Sequence, residues 1–452
     1  MESNDRLTAK NAYGDILRLM LPCLTELILG QLASIVDTAM VGGLGTQAIN
    51  AVGISGQPIM ILLMIFTALN VGTTALISRA KGEGNIYKAN QIALLSWIVN
   101  AIAGLLMMAL GLLFTRPMID MIGSPNEQTT VLAVQYLRTR IYAMPAIAIG
   151  AASNSILRGM GNSRTPMLYN LFANGTNVLF NWLLIHGIWI FPEMGVIGAG
   201  LATTISTVIG TGISCFLLLR GHSNIKIRLT ERLERNTGML SNLFRIGAPS
   251  MAEQIVFRIG HILFTRIVIS LGEVDYASHQ LCWNLLNIIL LCGSAMQMAI
   301  SPLTGQSLGR KSPERAEAYV KYSIHILLIA MSFFGLICLF FGRYLLLIYS
   351  PEPAVLEASI PLMAMFGLYL PTMAFQYVYG GALGGAGDTK FNAPIFVITT
   401  IAIRIPVAIL FKEVLGWGLI GVNAATAVDC TARWLLFGLR YRAGKWKTLK
   451  LK

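Results

Sequence analysis

Two carboxylates stand on the first apolar stretch of the chain. Asp37 lies within Ala33-Ser-Ile-Val-Asp-Thr-Ala-Met-Val-Gly42, and Glu26 precedes it by eleven residues. In a helix, eleven steps of about 100° return to nearly the same face over about 16 Å of rise. Further along, Asn177 and Asn181 are four apart and share a helical face, and Thr203 follows in the next apolar segment. Asp37, Asn177, Asn181 and Thr203 would make a set of hard oxygen donors with a single negative charge. Such a set suits a small hard cation or a proton: the amide and hydroxyl oxygens favour Na⁺, whereas the carboxylate alone would serve H⁺. Each group also has a plainer use. Amides inside a membrane helix bond neighbouring helices, Asp37 would serve in a structural ion pair, and Glu26 would suit a membrane interface.

A second set sits in the other half of the chain, with Glu253, Gln254, Arg258, His261 and Arg266 on one segment. Gln254, Arg258 and His261 share a face and Glu253 does not, so no in-helix salt bridge is implied. A histidine here is more often a hydrogen-bonded packing residue than a proton carrier. Asp429, Arg433 and Arg404 are expected to neutralise one another between the last two apolar segments.

The elements that position these residues are membrane helices. The 452 residues are 55% hydrophobic and only 12% charged, about half the charge of an ordinary soluble domain. Nearly uncharged blocks such as 59–76, 92–113, 285–300 and 324–341 recur along the chain, each close to the ~20 residues that cross the hydrocarbon core. The polar first fifteen residues do not resemble a cleavable signal peptide. Six cysteines fall in apolar stretches without paired or metal-like spacing, as buried small hydrophobes do.

The chain is one motif written twice. Arg18, Pro22, Glu26, Gly45 and Gly82 recur as Arg245, Pro249, Glu253, Gly272 and Gly309, all at an offset of 227. Leu157-Arg-Gly-Met-Gly-Asn-Ser-Arg164 matches Leu383-Gly-Gly-Ala-Gly-Asp-Thr-Lys390 at 226, and Gly195-Val-Ile-Gly198 with Ala202-Thr203 matches Gly418-Leu-Ile-Gly421 with Ala425-Thr426 at 223. Each half of roughly 220 residues holds about six spans. The expected spans are 14–43, 51–77, 90–114, 132–156, 166–187, 195–219, 243–271, 277–302, 318–347, 355–383, 393–412 and 418–439. The expected organisation is a six-helix bundle over 1–219, a basic linker over 220–242, a second bundle over 243–440 and a basic tail over 441–452. An even number of spans per half makes the repeat parallel. Twenty-five of the 34 lysines and arginines fall on the side of the termini and linker and three on the other. Because positive loops stay cytoplasmic, both termini and the linker are expected inside. The same asymmetry accounts for the net charge of +13 without a nucleic-acid partner.

Enzymatic and ATP-driven readings find no footing. The segment Gly384-Gly-Ala-Gly387-Asp-Thr-Lys390 lacks phosphate-loop spacing, no H-E-x-x-H occurs, and the five histidines are scattered. That leaves a secondary carrier or a channel-like pore, and two rocking halves argue for the carrier, with no cofactor beyond its coupling ion. In its Pro22…Asp37…Met40-Val-Gly42 helix, its paired glycine turns, Asn177-x-x-x-Asn181 and its paired Gly-x-x-Gly-x-x-x-Ala-Thr segments, the chain resembles the MATE (multidrug and toxic compound extrusion) family over about residues 12–440. The resemblance implies an all-α polytopic membrane protein, with twelve transmembrane helices in two pseudo-symmetric six-helix bundles arranged as a V. It also implies export of lipophilic organic cations in antiport with Na⁺ or H⁺ across the bacterial inner membrane, by a monomer. On this resemblance Asp37 matches the cation-site aspartate, and Asn177, Asn181 and Thr203 match its polar partners. Glu253 matches an acid of the sodium-linked branch, and Glu26 is an additional coupling or substrate residue. The tenth helix lacks the acid that some members carry, which directs the coupling expectation to the first bundle. Arg258, Arg266 and Arg404 support a rival reading, a flippase for lipid-linked saccharides. A major-facilitator carrier is disfavoured because Ser78-Arg-Ala-Lys-Gly-Glu-Gly-Asn85 lacks that lineage's loop motif.

Overall fold

A computed structural model describes residues 8–230, 233, 238–349 and 351–449. Parts of the linker and of the basic tail, together with Arg6, Arg232, Arg235, Lys450 and Lys452 of the charge asymmetry, lie outside the described residues. The described chain is helical, and no strand occurs among the described residues.

The helices run in chain order as α1 (Ala9–Gly42), α2 (Thr46–Gly82), α3 (Ile86–Ile122), α4 (Glu127–Ile141), α5 (Met144–Gly159), α6 (Arg164–His186) and α7 (Gly195–Arg220). The second half continues with α8 (Met239–Ile269), α9 (Glu273–Gly309), α10 (Pro313–Leu347), α11 (Pro353–Ala386), α12 (Asn392–Phe396), α13 (Ile405–Ile409) and α14 (Gly418–Arg442). A π-helical stretch, Val397–Arg404, joins α12 to α13, and a second, Leu410–Val414, extends α13, making one continuous segment. With α4 and α5 taken together, the described residues hold twelve helical segments, as the periodic apolar blocks require.

The fourth span is broken rather than continuous. Pro145 sits at the start of α5. Its ring has no N–H to give Ile141 and biases the preceding residue away from helix, so the chain turns at Tyr142 and Ala143. Pro22 and Pro249, by contrast, lie inside α1 and α8, where each leaves one backbone carbonyl without its usual partner.

The sequence repeat has a geometric counterpart. α2 and α9 are both 37 residues long and begin 227 residues apart. Each is preceded by a glycine at positive φ, Gly45 at 101° and Gly272 at 125°, a conformation that side chains disfavour. The two glycine turns also close alike. Asn162 N bonds Leu157 O and Asp388 N bonds Leu383 O, each at 2.9 Å, around Gly161 and Gly387 in the left-handed region. Helix ends commonly close this way.

The chain divides into two compact units, one of residues 25–244 and the other of residues 1–24 with 245–451. The boundary falls within α1. In the second unit, Tyr13 packs on Tyr322 at 5.0 Å between ring centres, and Tyr319 donates to Asp15 at 2.6 Å. In the first unit the start of the linker is tied down by buried Ile225 and Ile227 and by Lys226 N donating to Asn90 at 3.1 Å.

Among the described residues, eight helices are long and apolar enough to span a membrane by length and composition alone: α1, α2, α3, α7, α9, α10, α11 and the 392–414 segment. The remaining segments, α4 with α5, α6, α8 and α14, carry Arg140, the asparagines of α6, Glu253 and the Asp429–Arg433 pair. Asp37 and Glu26 on α1, Thr203 on α7 and Arg404 in the 392–414 segment lie instead on helices that are apolar enough.

Candidate functional site

Within the first unit, α1, α6 and α7 bring Asp37, Asn177, Asn181 and Thr203 together. Asn181, fully buried, donates its amide to Asp37 Oδ1. The Asn177 amide is oriented with its nitrogen donating to Asp37 Oδ1 at 2.8 Å and its oxygen accepting from Thr203 Oγ1 at 3.2 Å, because the opposite orientation would set its oxygen against the carboxylate. Asp37 therefore receives two neutral donors and makes no ion pair among the described residues. The buried Asn181 Oδ1 has no hydrogen-bond partner among them. A free carbonyl oxygen, an unneutralised carboxylate and a hydroxyl side by side are donors that suit a hard monovalent cation.

Asp37, Asn177 and Thr203 line a cavity of about 520 Å³, within the range of small-molecule sites, and Asn181 lies buried behind them. Tyr136 and Arg140 of α4, Asn154 of α5 and Asn170 of α6 also line it. None of these four was singled out by motif or repeat. The signal that could have found Arg140 is a charge within an apolar segment, which the sequence does contain.

Glu26 lies apart from the Asp37 cluster. Arg158 of α5 donates to both its oxygens at 2.7 Å, and Asn170 adds a bond at 2.8 Å. Both charged side chains are mostly buried, at 15% and 12% exposure. Glu26 is thus a neutralised acid cross-linking α1, α5 and α6 next to the cavity, whereas Asp37 is an unneutralised one within it.

Glu253 belongs to the second unit, where Asn392 donates to it at 2.9 Å. Close by, Arg433 donates to both oxygens of Asp429 at 2.6 and 2.8 Å, to Thr400 at 2.8 Å and to Thr399 at 3.1 Å, and its guanidinium lies over Phe396 at 4.2 Å. The expected neutralisation of Asp429 by Arg433 is therefore present, but within α14 at i, i+4 rather than between helices. Arg404 does not join that ion pair. It ends the first π-helical turn, stacks on Phe264 at 3.8 Å, and its buried Nε has no hydrogen-bond partner among the described residues. His261 lies between the rings of Phe257 and Trp283. His279, which no motif or spacing marks out, meets Asn423 at 2.8 Å. Arg266 is exposed. Among the described residues no cluster of His, Cys, Asp and Glu suits a multivalent metal.

An all-helical, twice-written chain with a polar cavity inside one unit defines a polytopic membrane transporter rather than an enzyme. The profile of the MatE family matches residues 22–183 and 249–410, two equal stretches displaced by the same 227 residues as the repeat, and the chain belongs to that family. It is 27% identical to a probable multidrug resistance protein NorM of Thermotoga maritima, over 96% of this chain and 93% of the relative. It is 24% identical to an FAD transporter of Shewanella oneidensis, over 83% of each. The fold superimposes on the outward-facing conformation of a multidrug resistance MATE family transporter of the MOP superfamily with a TM-score of 0.89, at 23% identity and 98% coverage of both chains.

Proposed function

We propose that this transporter is a secondary antiporter that exports lipophilic organic cations in exchange for Na⁺ or H⁺, with Asp37 as the coupling carboxylate and Asn177, Asn181 and Thr203 as its polar partners. The observation that carries this reading is the state of Asp37: a carboxylate in a small-molecule cavity that receives amide donors and no ionic partner. An unneutralised charge at that depth is costly and persists where it has a use.

Exchange follows from competition for that charge. Na⁺ or H⁺ arriving from outside neutralises Asp37, and a bound organic cation then loses its attraction and leaves. On the inner side the ion departs and the carboxylate again favours the organic cation. A ligand shifts a conformational balance only by its differential affinity for the two states, and one carboxylate offered to two competing cations supplies that difference. Glu26, held by Arg158, and Glu253, held by Asn392, serve in this scheme as structural acids. The setting is the bacterial inner membrane, with both termini cytoplasmic and the protein monomeric.

The test is ethidium efflux from proteoliposomes under separately imposed Na⁺ and pH gradients. Efflux driven by one gradient and lost in Asp37→Asn supports the reading and names the ion. Efflux unchanged in a well-folded Asp37→Asn protein would falsify it. The flippase reading keeps one observation in its favour, the buried Arg404 without a hydrogen bond from Nε. Absence of efflux under either gradient from intact protein would direct attention there.

A further inference from the structure

The cavity of the first unit holds a second charge, and its sign is opposite to that of Asp37. Arg140, in the last turn of α4, lines the same cavity of about 520 Å³. Among the described lining residues only these two are charged. They interact electrostatically, yet no ion pair within 4.0 Å joins them, and both oxygens of Glu26, the next acid along α1, are bonded by Arg158. Tyr136, one turn earlier on α4, lies in the electrostatic range of both charges.

A structural role for Arg140 would leave a trace. A guanidinium held in an ion pair can have its donors occupied, as Arg433 does, bonding Thr399 through Nε and Gln376, Thr400 and Asp429 through its terminal nitrogens. The end of α4 favours a cation through the helix dipole, but that attraction consumes no N–H group. Arg140 Nε is buried and has no hydrogen-bond partner among the described residues. Unsatisfied buried donors are rare and costly, and here the unsatisfied donor belongs to a residue that faces space large enough for a drug-sized molecule.

We propose that Arg140 is a specificity residue forming an anion subsite, and that the preferred cargo of this cavity is an organic zwitterion. Its ammonium or iminium group would face Asp37 and its carboxylate would face Arg140. This rests on the reading of Asp37 as the cation-attracting group and narrows it from cations to molecules with both charges. A net-neutral cavity receives a net-neutral ligand without leaving an uncompensated charge in the bilayer. A pure cation would meet repulsion from Arg140, and a pure anion would meet repulsion from Asp37.

Rhodamine 110, a free acid, and rhodamine 123, its methyl ester, test this directly, because they share one cationic ring system and differ only in whether the carboxylate is free. Each dye is titrated with the full-length protein in detergent and followed by fluorescence anisotropy. A charge-assisted hydrogen bond predicts that the acid binds about tenfold or more tighter than the ester. Arg140→Gln should remove that preference by weakening the acid alone, and Arg140→Lys, which keeps the charge, should retain part of it. Asp37→Asn should weaken both dyes. Tighter binding of the ester by the unaltered protein overturns the proposal without any variant, and so does a preference for the acid that survives Arg140→Gln. Ester binding untouched by Asp37→Asn, with the acid preference still lost in Arg140→Gln, would instead sink the reading of Asp37 and leave the anion subsite standing. Failure of both dyes to bind overturns both readings.

Discussion

Asn181 of α6 donates its side-chain amide to the carboxylate of Asp37 on α1, joining two residues 144 positions apart. The bond fixes the carboxylate without neutralising it, since an amide brings a partial positive charge and no net one. Truncating Asn181 to Ala should therefore leave a mobile acid in a cavity that still folds. Hydrogen bonds to charged groups contribute about 1.5–3 kcal/mol. Coupled efflux by Asn181→Ala is expected to fall about tenfold or more on that basis, with the unfolding temperature in detergent nearly unchanged. Equal losses of efflux and thermal stability would count against this.

The Glu26–Arg158 pair should behave in the opposite way. Removing one member of a mostly buried ion pair leaves the other uncompensated and typically costs about 3–5 kcal/mol. Glu26→Gln alone is expected to lower thermal stability markedly, and the double variant Glu26→Gln with Arg158→Gln to recover much of the loss. A double-mutant cycle read by thermal unfolding decides the point. Additive losses would mean that the pair does not couple.

Glu253 offers the sharpest contrast with Asp37. It already accepts a hydrogen bond from Asn392, and Arg433 occupies the neighbouring acidic and hydroxyl oxygens as a cation covalently attached to the protein. If coupling resides in the first unit, Glu253→Gln should still show gradient-driven efflux in the proteoliposomes where Asp37→Asn shows none. Loss of gradient dependence in both variants would place coupling in both units.

Two glycines predict opposite fates for the same substitution. A Cβ on Gly385 would stand 2.0 Å from the backbone oxygen of Ser301, whereas one on Gly212 would meet nothing within 4 Å. Backbone cannot rotate out of the way, so Gly385→Ala should push α11 off α9 and reduce the yield of monodisperse protein. Gly212→Ala should purify like the parent, with a small gain from reduced chain entropy. Size-exclusion profiles of the two variants make the comparison.

Much of the fold could be read from the sequence because insertion in a bilayer leaves few choices. Apolar blocks of about 20 residues become helices, and the repeat of Pro22 as Pro249 and Gly45 as Gly272 located corresponding elements in the two halves. What could not be read depended on chain breaks and on partners far away. The kink at Tyr142 arises from a single proline within an otherwise continuous block. The π-helical turns after α12 leave no mark in periodicity. At the candidate site, spacing brought out Asn177 and Asn181 as one face, and the resemblance joined them to Asp37. The bond of Glu26 to Arg158 could not be foreseen, because it links residues 132 apart and nothing local in either requires the other. Arg140 was visible as a charge in an apolar stretch, but its free donor is a property of the folded cavity alone.

The polar character of α6, α8 and α14 has a consequence for how the protein is made. A segment that is not apolar enough by composition is poorly retained in lipid when it emerges alone from the insertion machinery. α8 carries Glu253, Arg258 and Arg266 through its length, and the partner of Glu253 on α12 is synthesised 139 residues later. Glu26 likewise waits 132 residues for Arg158. Each acid therefore lacks its partner until a helix made 132 or 139 residues later is in place, so the polar helices complete their bonding only after most of their own half of the chain has been made.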